Sequence, residues 1–184
     1  MKFNNKKSGF TLAEVLVTLM IIGVIAAMTI PSLMQSTAQQ EYKAAYKKAV
    51  SMLNQAITLN YALDGQDASD FSGTNLFELM TKRLNVMSSN ASDELYTADG
   101  MWFKVQTASE ASGYAAGASC SANIDDPNAT TNICSIVKID VNGQKGPNTF
   151  TTGSQSIKDW FEVAVYPQKA LPNGATFSEA LYSK

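Results

Sequence analysis

Between Phe10 and Met34 the chain carries a single charged side chain, Glu14, in a run of 25 residues that is otherwise uncharged and mostly apolar. As a helix rising ~1.5 Å per residue, this run is about 37 Å long, enough to cross a ~30 Å hydrocarbon core with some tilt. A carboxylate in such a span costs on the order of 2.5–3.5 kcal/mol at mid-depth and less near the interface, and by default it marks a function. What Glu14 meets is therefore the first question this chain poses.

The residues just before the run sharpen it. Lys6-Lys7-Ser8-Gly9 is followed by Phe10-Thr11-Leu12-Ala13-Glu14-Val15. This resembles, position by position, the leader of the type IV pilin and pseudopilin family: a short basic leader ending in Gly, then Phe, then an apolar helix with Glu fifth after the cut. The resemblance implies cleavage between Gly9 and Phe10 by a prepilin peptidase, N-methylation of Phe10, and a pairing of Glu14 with the Phe10 amine of a neighbouring subunit. Two charges that are each costly in lipid offset one another when subunits stack, which favours assembly and sets register. Two other readings stand beside it. A basic start and an apolar run also describe a secretory signal peptide, though no clear Ala-x-Ala follows, and a plain signal anchor has the same outline.

Charge places the parts. The precursor is −2, and removing Lys2, Lys6 and Lys7 with a leader 1–9 leaves 11 basic against 16 acidic side chains, or −5. Basic residues before the span and none within it put the leader on the cytoplasmic side and the head outside. An acidic head with Arg83 as its one arginine argues against nucleic-acid binding. Cys120 and Cys134 suit an oxidising compartment and are expected to form a disulfide. Two unrelated thiols are the alternative; a zinc site lacks ligands in a chain with no histidine.

Past the membrane and assembly half (10–34), residues 35–64 continue the helix in amphipathic form. Tyr42, Ala45, Tyr46, Ala49, Leu53, Ala56, Ile57 and Asn60 step by three and four along one face. Within the span, Gly23 and Pro31 weaken the helix, and the family resemblance implies bending or melting of that stretch on assembly. Residues 65–184 form the head. Asn75 with Glu78 predicts a capped short helix; Ser88 to Glu94 reads as a loop. Asp99-Gly100 predicts a hairpin turn before Met101, Phe103 and Val105. Ile133 to Val141 and Ile157 to Tyr166 read as strands, with Asn142-Gly143 a turn and the piece after Leu171 a turn and tail. The predicted fold is α+β and pilin-like, one long helix packed on an antiparallel sheet of three or four strands.

Enzymatic chemistry finds little footing. There is no histidine for a triad, and neither Gly-x-Ser-x-Gly, a Walker loop nor Gly-x-Gly-x-x-Gly occurs. The acid pairs Asp93-Glu94 and Asp125-Asp126 read as solvated surface. Asp140, Asn142 and Asp159 could begin a calcium loop, as in the heads of major pseudopilins, but Lys145 and the missing ligand set favour a hydrogen-bonded turn. No other cofactor is expected. The implied function is a filament subunit of a pilus or type II secretion pseudopilus, starting as a single-pass inner-membrane protein. Its partners would be other pilin-like subunits, the prepilin peptidase, the assembly platform and the lipid membrane. The rival is a membrane-tethered minor pilin whose head binds a surface, glycan or secreted substrate; Trp102 and Trp160 outside the core would favour it.

Overall fold

The computed structural model describes residues 9–71, 75–90, 93–106, 120, 133–153 and 156–182. Helix α1 runs Leu12–Asp64, followed by α2 (Leu76–Arg83), β1 (Val86–Ser89), β2 (Glu94–Thr97), β3 (Trp102–Gln106), β4 (Ser135–Asp140), β5 (Trp160–Val165), β6 (Ala170–Pro172) and α3 (Gly174–Tyr182). The chain divides into two compact units, Met1–Ala38 and Gln39–Lys184.

In the first unit, α1 is helical without interruption through Gly23 and Pro31. No apolar side chain from Leu12 to Met34 is buried, and Leu16, Leu19, Met20 and Ile22 stand bare. Thr18 and Thr29 return their hydroxyls to the carbonyls of Val15 and Ile25, which lets a threonine sit in an apolar surface without an orphaned donor.

In the second unit, six strands pair in sequence order, every pair antiparallel. Six strands exceed the three or four expected from sequence. The additions are the short β1, β2 and β6; β1 and β2 enter the segment read as a loop only at its two ends, at Ser88-Ser89 and Glu94. Each carries too few alternating apolar residues to announce itself, and is held by its neighbour's ladder. The C-terminal piece, expected to be a tail, folds as α3 because Phe177, Ala180 and Leu181 make a helical stripe that the core buries. Asn75 takes the N-cap place of α2 but makes no side-chain cap bond, being in αR conformation; the expected capping box is absent there.

The core lies between α1 and one sheet face. Tyr46, Ala49, Leu53, Ala56, Ile57 and Asn60 are buried as the spacing predicts, against Phe103, Val105, Val137, Ile139, Phe161 and Val163. Tyr46 is its centre: fully buried, stacked on Phe161 at 4.1 Å, its hydroxyl donating to the Glu162 carbonyl at 3.0 Å. Asn54 fixes the sheet's edge, bonding both the N–H and the carbonyl of Ala170 at 2.9 Å. Ile133 departs from the expected parity and joins Ile136 and Ala164 in a second small cluster. The two predicted turns touch: at Gly143 (φ +70°), a Cβ would come within 2.6 Å of the Gly100 carbonyl, so only glycine fits.

Candidate functional site at the head of the long helix

The residues singled out by the leader pattern sit at the start of α1. Gly9 and Phe10 are exposed in non-helical chain, Phe10 to 90%. A bond between them is reachable without unwinding the helix. Lys6, Lys7 and Ser8 lie outside the described residues, as do Asp125-Asp126 and the polar stretch 108–132 except Cys120.

Thr11 is the N-cap, and Glu14 is third in the helix. The Thr11 hydroxyl accepts from the Glu14 N–H at 3.2 Å, while Glu14 Oε2 accepts from the Thr11 N–H and from its hydroxyl, both at 2.8 Å. This is a reciprocal capping box, which satisfies donors that a helix start leaves orphaned. Glu14 is thus not stranded in the single chain; Thr11 is a partner that the sequence reading missed, although Thr-x-x-Glu before an apolar run is its signature. All three bonds leave Glu14 Oε1 without a hydrogen bond among the described residues. The carboxylate also lies at the positive end of the helix dipole. Phe10, Glu14, Val15 and Thr18 line one shallow depression on the helix surface.

Residues 4–30 match the family model of the prokaryotic N-terminal methylation motif. The chain carries the signature of type IV pilins and pseudopilins. No curated protein and no solved structure matches it. The methylation motif implies processing by prepilin peptidase and assembly with other pilin subunits, and with the apolar helix it indicates membrane anchoring. It covers Gly9, Phe10, Glu14 and Gly23, and ends one residue short of Pro31.

The other sequence-predicted sites fall in the second unit. Cys120 and Cys134 are joined in a disulfide, as expected. Asp159 is fully buried and accepts from the backbone N–H groups of Asn148 (2.7 Å) and Thr149 (2.9 Å). Asp140 accepts from the Asn142 N–H at 3.2 Å and from the Trp160 indole at 2.8 Å. Burial raises the Asp140 pKa, with these two bonds pulling it back. The three calcium candidates are therefore brought close: the carboxylates of Asp140 and Asp159 hold the 141–149 loop on β4 and β5, and the Asn142 amide donates to the Gly146 carbonyl at 3.3 Å. Among the described residues no group of three or more acidic, Cys or His side chains gathers as a metal would need. Asp93 and Glu94 flank Lys104 at 3.7 and 3.9 Å.

Proposed function

We propose that this chain is a structural subunit of a type IV pilus-like or type II secretion pseudopilus filament, cut between Gly9 and Phe10 and methylated on Phe10. One observation carries the reading: a single helix joins the methylation motif to an apolar surface that none of the described residues covers. Such a surface needs lipid or other subunits around it. The head would face the far side of the membrane, since the lysines of the leader precede the span.

Glu14 has a double task in this reading. Oε2 closes the capping box and fixes the side chain's direction, leaving Oε1 to meet the ammonium of a neighbouring Phe10. The two roles separate by substitution. Glu14→Gln retains an acceptor for the cap but removes the charge; Glu14→Ala removes both. Both variants are expected to be processed and inserted, and both to enter filaments poorly, measured by cross-linking and by recovery in the sheared-filament fraction. Incorporation of Glu14→Gln at the wild-type level would refute the ion pair and leave the cap as the residue's only work.

A head that also binds a ligand is a second reading, and a specific observation favours it. Trp102 and Trp160 both stand outside the buried core, on the sheet face turned away from α1, each only partly buried.

A further inference from the structure

The register places side chains from four strands in two rows on that outer face. Tyr96, Trp102, Asp140 and Trp160 form one row; Glu94, Lys104, Lys138 and Glu162 form the next. Phe150, 38% exposed, bridges beside Trp160 with its ring edge-on at 5.4 Å. The Lys138 ammonium lies 3.2 Å from the Trp160 ring centroid, 4.8 Å from Phe150 and 5.6 Å from Trp102. Cation–π attraction holds it there, so a hydrogen-bond donor is fixed among three rings. Asp140 ties down the Trp160 indole, and Gln144 bonds the Tyr96 hydroxyl at 3.0 Å. The Trp102 indole N–H is shielded from solvent, yet finds no acceptor among the described residues. A buried donor in that state is costly and calls for a partner.

We propose that this face binds a neutral, extended oligosaccharide, its sugar rings on Trp102, Trp160 and Phe150 and its hydroxyls on the polar side chains between them. Three properties select that ligand. The two tryptophans are two strands apart, and with one ammonium 3.2 Å from one ring centre and 5.6 Å from the other the rings are at most ~9 Å apart, within the length of a disaccharide unit. Charge excludes a polyanion, because the two rows carry Glu94, Asp140 and Glu162 against Lys104 and Lys138. Size excludes a protein partner: four strands by two rows give a footprint on the order of 100–200 Å², against the ~800 Å² a stable interface takes from each side. Sugar rings offer apolar C–H faces and hydroxyl edges together, which is what rings interleaved with donors and acceptors recognise. The proposal rests on the second reading above and is separable from assembly.

Trp102 and Trp160 are the chain's only tryptophans, so emission excited selectively at tryptophan, away from the tyrosines, reports on this face alone. The test titrates the full chain, in a detergent without a sugar headgroup, with cellohexaose, chitohexaose, maltohexaose and hexagalacturonate. A saturable change with a β-linked neutral hexamer is expected, weakened about tenfold in Phe150→Ala, the loss typical of one aromatic anchor. Lys138→Met, which keeps the stem over the rings but removes the donor, is expected to weaken it several-fold. Unchanged circular dichroism and filament incorporation in both variants would show that fold and assembly are intact. No saturable response to either β-linked hexamer, an equal response in the variants, tighter binding of hexagalacturonate, or a change driven by protein concentration alone would overturn the proposal. Each of those results would leave the subunit reading standing, because incorporation is measured separately.

Discussion

Glu14 and Thr11 show how much one hydrogen-bond pattern changes the meaning of a charge in an apolar span. Treated alone, a carboxylate at the start of an apolar span needs a cation from elsewhere. Within the capping box it already satisfies the helix start, so a neighbour's ammonium adds to an oriented acceptor instead of rescuing a stray one. Thr11→Val is expected to cost ~1 kcal/mol at the helix start, seen as faster amide exchange over residues 11–14 in micelles; unchanged exchange would mean the box carries no weight there. In the second unit, Asp64 and Asp140 are expected to act oppositely with pH. Hydrogen bonds from Lys82 and Arg83 hold the Asp64 pKa below its usual value, so its stabilising effect is present above the ordinary carboxylate range and lost as pH falls through its lowered value. The raised pKa of Asp140 means its ionised form weakens the fold at neutral pH, and protonation relieves this as pH falls through that raised value. As pH is lowered, melting temperature should therefore first rise and then fall, with Asp140→Asn removing the contribution to the rise and Asp64→Asn that to the fall. Curves for both variants parallel to the wild type would contradict this assignment.

At the scale of elements, α1 and the sheet are joined through Tyr46. Tyr46→Ala is expected to cost ~3–5 kcal/mol, as for other large buried aromatics, and Tyr46→Phe ~1 kcal/mol for the lost bond to the Glu162 carbonyl, both read by denaturant midpoint. Loss of less than 1 kcal/mol in Tyr46→Ala would place the core elsewhere. The helix was legible in sequence because its stripe from Tyr42 to Asn60 repeats over about five turns, and β3, β4 and β5 because Phe103, Val105, Val137, Ile139, Phe161 and Val163 alternate. By contrast β1 (Val-Met-Ser-Ser) and β6 (Ala-Leu-Pro) are edge strands of four and three residues. Nothing local requires their conformation; the neighbouring ladder and Asn54 supply it. The Asn75 cap failed for the converse reason: the right residue was present, but its backbone is helical and its side chain cannot reach back. Of the N-terminal site, the leader pattern and Glu14 were legible. Thr11 was legible too, through the spacing alone.

On the scale of the whole molecule, two surfaces stand out among the described residues. One is the apolar face of α1 from Leu12 to Met34, the other the aromatic face of the sheet. Assembly into a filament accounts for the first, and ligand binding for the second. The acidic balance of the head, −5 once the leader is removed, keeps it away from nucleic acid and suits a polar, uncharged ligand. Everything about the first surface begins with a single cut. Intact mass of the chain recovered from membranes tests it most directly. The expected mass is that of Phe10–Lys184 with one added methyl group and the Cys120–Cys134 bridge closed. A chain beginning at Met1, or at any residue past Ala27, would contradict the account.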